Sequence, residues 1–432
     1  MGDYSILSDF RNGLYGCFGN GKDALMNTCD ALLCGTGIHS FPELSLSPFF
    51  GRRWPSLYEA FDDAEIDRDA LTRLSIATMP PVSSDERRIL AGDITSILRP
   101  ESPTARDRTY VHVSNAPKGA KPVLPGWQFA TIAALPDTPG SSTTILSNTR
   151  VGSEEKPTEV VAELLARLAP QLPEDMIVTL DGSFGNAAFM QLAGKIPMGK
   201  LMRTAKNRTF YRPAPNSTEK GKRGRPRLDG ELFSLNKPET WGPPDDSWEG
   251  TDHDGHQIKV ECWHNLHFRK CREATLSVIR VMRLSGPDTK RNPRIIWLIW
   301  QGPSMPSLEK VPSYYRLRYS IEHSYRFDKK ELHWAEARLS TPEKFQSWTD
   351  IVSAAHNQIT IARAYQQDIR RPWAKNSKDA TPSQVRAGLP RIIATLGTPA
   401  RPAQPRGKSP GRPFGAIINK RPRFKTVFKQ AA

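Results

Sequence analysis

Tyr315, Arg318, Glu322 and Lys329 have residue types and spacing that could do chemistry on a phosphate. Read as a helix, YRLRYSIEHSYRFDK turns about 100° per residue, which puts these four side chains within an arc of roughly 60°. Tyr314, Leu317, Ile321, Leu332 and Ala335 fall beside that arc, at roughly 200° to 260° on the same wheel. Such a helix would seat an apolar stripe in a core and carry a carboxylate, two cations and a phenol along the stripe's edge. A carboxylate suits a hard divalent cation, and the cations suit phosphate. The face would run ~21 Å from Tyr315 to Lys329, long enough to follow several nucleotides. The same stretch also reads as a solvated charged face, with Arg318 and Glu322 as an i,i+4 pair that stabilises the helix.

A metal site needs more than one acid, and two aspartates upstream are candidates. Asp93 lies in the short apolar run RRILAGDITSIL. Asp181 ends the strand-like run Met176 to Leu180 and opens a small-residue turn, DGSFGN. Each has a plain reading, Asp181 as an Asp-Gly turn residue and Asp93 as a strand-end acid facing water. Asp107 is a rival to Asp93. Three carboxylates brought together are expensive to ionise without a cation between them, and such a set can hold two magnesium ions for in-line phosphoryl transfer.

Tyr315-x2-Arg318-x3-Glu322-x6-Lys329 matches, without gap or substitution, the YREK signature of DDE-type insertion-sequence transposases. The resemblance implies a ribonuclease-H-like α/β domain, a mixed sheet flanked by helices. Asp93 would lie on the first strand, Asp181 on the fourth and Glu322 on the final catalytic helix. These three would be the catalytic and metal-binding residues, with two Mg2+ ions and Mn2+ as a substitute. Arg318 and Lys329 would hold the DNA backbone near the scissile phosphate, with Tyr315 on the same strand. The reaction implied is metal-dependent cleavage at element ends followed by strand transfer into target DNA. The partners would be double-stranded DNA, as terminal inverted repeats and as target, and a second copy of the chain in the DNA synapse. The setting implied is prokaryotic, cytoplasmic and nucleoid-associated. Two alternatives stay open: an inactive or domesticated transposase that only binds DNA, and a ribonuclease-H-like nuclease without strand transfer.

Composition agrees with a polyanionic partner, since 61 Lys and Arg against 45 Asp and Glu give a formal charge of +16. No stretch is apolar for the length of a membrane span, the first residues lack the apolar core of a signal peptide, and five irregularly spaced Cys make no disulfide framework. Those features read as a soluble intracellular protein.

Residues 1–85 read as a helical N-terminal module, by resemblance one that grips DNA ends. Within it, Gly16-x4-Gly21-Lys22 imitates a phosphate-binding loop, but Asp23 stands where Ser or Thr should be and no strand precedes it. Residues 86–205 read as the first part of the catalytic domain, 206–290 as a β-rich insertion and 291–373 as the second part, ending in helices. Residues 374–432, rich in Pro, Lys and Arg, read as a disordered basic tail drawn to phosphates, whose Phe414, Phe424 and Phe428 could stack.

In the insertion, Lys222-Arg223-Gly224-Arg225-Pro226-Arg227 has the core of an AT-hook, a flat segment suited to the minor groove of A·T-rich DNA, with a weaker version at Pro410–Pro413. It can equally be a solvated basic loop. Cys262, His264, His267 and Cys271 are soft ligands, but C-x-H-x2-H-x3-C is not a standard zinc spacing and reads better as hairpin residues. By resemblance an insertion aromatic, Trp241, Trp248 or Trp263, would receive a flipped base during hairpin formation.

Overall fold

The structure, a computed structural model, describes all residues except 1–3, 36, 84–85, 114–121, 139, 215–226, 287, 290–292, 366–379, 406–410, 418 and 430–432. Four helices open the chain: α1 (Ser5–Gly16), α2 (Lys22–Cys34), α3 (Trp54–Asp62) and α4 (Arg68–Ala77). Each turns an apolar face inward, as Leu7, Phe10 and Leu14 of α1 show. The loop that imitates a phosphate-binding loop joins two helices here. Its Asp23 accepts a hydrogen bond from Tyr15 at 2.7 Å.

Next come β1 (Ile89–Leu98), β2 (Thr109–His112), β3 (Val123–Ala134) and β4 (Thr144–Val151). They are followed by α5 (Pro157–Leu168), β5 (Ile177–Leu180), α6 (Ala187–Ala193) and β6 (Gly199–Arg203). Proline in the first turn starts α5, and Val160, Val161, Leu164, Leu165 and Leu168 repeat at helix spacing to cover one face of the sheet. β3 runs antiparallel to both β1 and β4, whereas β5 is parallel to β1 and β6 is parallel to β5. The order β4-β3-β1-β5-β6 is thus a ribonuclease-H-like mixed sheet, as the resemblance implied.

The insertion supplies β7 (Thr209–Tyr211), β8 (Leu232–Ser234), β9 (Asp246–Thr251), β10 (Gln257–Phe268) and β11 (Cys271–Arg283), and β12 (Ile295–Gln301) follows it. These strands extend the same sheet rather than building a second one. β12 pairs antiparallel with β6 on one side and with β11 on the other, giving a sheet of twelve strands among the described residues.

After β12 come α7 (Lys310–Leu317), α8 (Tyr319–Lys330), α9 (Pro342–Ala362) and α10 (Pro382–Leu396). α9 is buried along nearly its whole length between β4 and the N-terminal helices. Its Asn357 amide bonds both backbone groups of Ile145 on β4, at 2.7 and 2.9 Å.

Two expectations need correction. The single signature helix is two, joined at Arg318, which keeps helical angles while the turn tightens to three-residue hydrogen bonds. A tighter turn advances about 120° per residue, so the straight-helix wheel no longer holds across the joint. The basic tail is not wholly disordered. α10 begins with a Thr381–Gln384 capping box and buries Val385, Leu389, Ile392 and Ile393, while its Arg386 donates to the carbonyls of Leu32 and Gly35 on α2's C-terminal side. Further on, the amide of Val427 donates to Arg108 and Phe428 stacks on Tyr110 with centroids 4.3 Å apart.

Candidate active site

Asp93 sits in the middle of β1, and Asp181 follows the last residue of β5. In the parallel pairing of those strands Gly92 lies opposite Leu180, so the next step puts Asp93 beside Asp181. Both side chains leave the same face of the sheet, because residues at matching steps of a ladder point the same way. Asp181 is held by its own turn: Oδ1 accepts from the Ser183 amide at 2.8 Å and from the Ser183 hydroxyl at 2.5 Å. The turn runs straight into α6, whose N-terminus Asn186 caps.

Gly185 is required in that turn. A β-carbon there would overlap the carbonyl oxygen of Arg203, backbone against backbone, and would lie 3.0 Å from the Thr204 Cα. No side chain can swing aside to make room. Gly185→Ala should therefore destabilise the protein by about 1–3 kcal/mol and displace the Asp181 turn. Thermal unfolding and Mn2+ affinity of the variant would both register the change.

The third acid comes from α8, which lies across β1. Lys329 fastens this helix, donating to Thr95 Oγ1 at 2.6 Å and to the Ser96 carbonyl at 2.9 Å, two and three residues past Asp93. Burial lowers the Lys329 ammonium to about 8, with Asp328 and Asp93 opposing the shift. Glu322 remains half exposed, and its Oε1 accepts from Arg318 at 2.9 Å. Another nitrogen of the same guanidinium lies 3.8 Å from Asp93 Oδ2.

The electrostatics tie the group together. Burial pushes Asp93 up to about 7, Arg318 pulls against that shift, and the charges of Asp181 and Glu322 add to it. Burial alone would lower Arg318, yet Tyr315, Asp93, Glu322 and Asp181 hold it above its usual range. The Tyr315 phenol is raised to about 12, mainly by burial, and feels the charges of Arg318, Arg203 and Asp181. Three carboxylates are a hard-oxygen donor set suited to a divalent ion. Their ligand oxygens do not all close to within 4.8 Å of one another. Among the described residues, only Asp252, His253 and Asp254 do so, on the exposed β9–β10 turn where Asp254 pairs with Arg316 at 3.1 Å.

The structure separates several candidates that the sequence left together. Asp107 stands apart from the acids, ion-paired to Arg150 at 2.5 Å and accepting from the Ser153 amide. Tyr315 is only 5% exposed. Lys329 would have to leave Thr95 and Ser96 to reach a phosphate. Arg227 is exposed, whereas Arg223 and Arg225 lie outside the described residues, as does Pro410 of the second AT-hook-like run.

Of the soft ligands, Cys262 stays beside His264 at 3.7 Å, but His264 also pairs with Asp246 and Ser277, His267 pairs with Asp229, and Cys271 with Glu273. Trp263 is buried against Trp241 and Trp297, Arg280 stacks on Trp241 at 4.6 Å, and Trp248 sits half-buried on edge strand β9. Arg203, at the end of β6 and close enough to influence Tyr315, was missed from sequence. Its only signal is a cation at the carboxyl end of a strand.

Two aspartates side by side on a ribonuclease-H-like sheet, with an acid on a crossing helix linked to Asp93 through Arg318, make a donor set that could hold divalent ions for phosphoryl transfer. A family profile described as DDE superfamily endonuclease matches residues 13–266, more than half of the chain. The chain belongs to that family, nuclease-type enzymes that act on DNA with divalent metal ions. The match takes in Asp93 and Asp181 and ends before α8. No curated protein sequence matches this one. No described helix is long and apolar enough to cross a membrane.

Proposed function

We propose that this endonuclease is a transposase of the YREK group, cutting DNA at the ends of its element and joining those ends to target DNA. The observation that carries the reading is that Arg318 pairs with both Glu322 and Asp93, while Asp181 follows the strand that runs parallel beside Asp93. Asp93, Asp181 and Glu322 would hold two Mg2+, or Mn2+ in their place. Bound there, such ions supply activation of the attacking oxygen and neutralisation of charge on the leaving oxygen.

The chain's own residues do the rest. Asp93 would be presented by β1 and Asp181 by the turn that follows β5. Glu322 is the adjustable one, half exposed on its helix. Arg318 would turn from the acids to a non-bridging phosphate oxygen, and Lys329 and Tyr315 would support the same strand from α8 and α7. Arg223, Arg225 and Arg227 would follow a minor groove, and the net charge of +16 favours both end and target DNA. A dimer on paired inverted repeats completes the reading.

The test is incubation of the full chain with its element's end DNA in Mg2+, Mn2+ or EDTA. Metal-dependent nicking at the end, followed by joined products, is the expected result. Nicking without joining would leave a nuclease, and binding without nicking a DNA-coating protein.

A pH dependence also follows. Below about 7 Asp93 holds a proton that an incoming ion must displace, and above it the carboxylate is free. Divalent-ion affinity should rise with pH, by roughly tenfold per unit below that value, and level off above it. Mn2+ titrations at about pH 6 and about pH 8 would show the rise, and Asp93→Asn should flatten it.

A further inference from the structure

Arg318 lies between Glu322 and Asp93 and feels the charge of Asp181. Its side chain is only 9% exposed, and its guanidinium lies over the Tyr319 ring at 5.1 Å and the Tyr315 ring at 6.0 Å. It touches Glu322 through one nitrogen at 2.9 Å and approaches Asp93 through another at 3.8 Å. This is a single-point contact with each acid. A trapped arginine presents a two-pronged fork to one carboxylate and holds it far more firmly. The third nitrogen, Nε, is buried and makes no hydrogen bond. The ligand oxygens of the three acids do not all come within 4.8 Å of one another.

We propose that Arg318 is a resident counter-ion which a divalent cation must displace, and that a DNA phosphate arriving beside α8 draws it out. This rests on the reading of Asp93, Asp181 and Glu322 as metal ligands. Its content is different: metal and DNA bind with positive coupling, because both require the same movement of one side chain. The coupling is reciprocal, so DNA tightens the metal as much as metal tightens the DNA. Without DNA the acids keep their internal cation and hold metal weakly, which would spare the chain a loaded nuclease centre away from its substrate. The imperfect pairing matters here. A firmly forked arginine would block metal altogether, whereas one held at single points, with an unsatisfied Nε, can leave at modest cost.

The test is Mn2+ binding by the full chain at about pH 8, read from the paramagnetic signal of free Mn2+. Wild type, Glu322→Gln, Arg318→Gln and Arg318→Lys are compared without DNA, and wild type and Glu322→Gln also with a short duplex. The Glu322→Gln sample with duplex corrects for Mn2+ held by the DNA itself. Arg318→Gln should bind Mn2+ roughly tenfold tighter than wild type, and Arg318→Lys, which keeps the charge, should stay near wild type. Duplex should tighten the Glu322-dependent site of the wild type by a similar factor. If Glu322→Gln loses a site but Arg318→Gln binds no tighter than wild type, the counter-ion role is overturned. The same follows if duplex leaves the wild-type site unchanged, an arm that needs no Arg318 variant to fold. If Glu322→Gln binds as much Mn2+ as wild type, it is the metal assignment that fails.

Discussion

Glu322→Gln should reduce metal-dependent nicking of end DNA by at least about 10³-fold, roughly 4 kcal/mol of transition-state stabilisation, while end binding changes little. The reason lies in how the three acids are held. Asp93 sits on β1, and Asp181 directly follows the parallel neighbour β5, so the sheet sets where both of them start. Glu322 alone comes from the opposite side, on a helix fastened to β1 through Lys329. Without its carboxylate, ions would be held from the sheet side only. The amide keeps the shape and length of Glu322, so folding should be preserved. The variant leaves Arg318 a neutral amide oxygen in place of its charged 2.9 Å partner, which does not weaken contact with phosphate. Gel shift and nicking assays on the same preparation separate the two effects. Nicking retained within a few-fold of wild type would remove Glu322 from the metal site.

The second large effect is expected on the buried side of α8. His356 of α9 and Asp328 of α8 are both 1% exposed, with Nδ1 and Oδ1 2.7 Å apart. The Nε2 nitrogen donates to the Thr143 carbonyl at 3.1 Å, and the Thr143 hydroxyl bonds Ser324 of α8 at 2.9 Å. This chain of contacts joins the acid-bearing helix to the central helix α9 and to the start of β4. His356→Ala would leave the Asp328 carboxylate buried without that partner, at a cost of about 3–5 kcal/mol. Replacing both residues by leucine should cost less than the single change, because no buried charge then remains. Denaturant unfolding of the two variants tests this. A double variant as damaged as His356→Ala would show that the contacts matter for packing rather than charge.

Several features were legible in the sequence because they depend on local pattern. Helix spacing in α5, the short apolar run before Asp181 and the small-residue turn after it appear where the residues place them. The acid-bearing stretch is helical for the same reason. α10 carries the same spacing in Val385, Leu389, Ile392 and Ile393, but the basic, proline-rich composition around them hid it and the segment reads as a disordered tail.

Other features rest on pairing between distant segments, which no local pattern encodes. Asp93 and Asp107 look alike in sequence. The parallel register that sets Gly92 against Leu180 brings the first to Asp181, while Arg150 and Ser153 engage the second elsewhere. The insertion's strands could have formed a separate sheet. Pairing of β12 with both β6 and β11 joins them to the catalytic one. Arg318 shows the division most clearly. Its type and spacing belong to the sequence, which makes it a cation one turn before Glu322. Its place among the acids comes from the tightened joint between α7 and α8 and from the packing of α8 on β1, because only folding brings carboxylates from two strands and a helix around one charge.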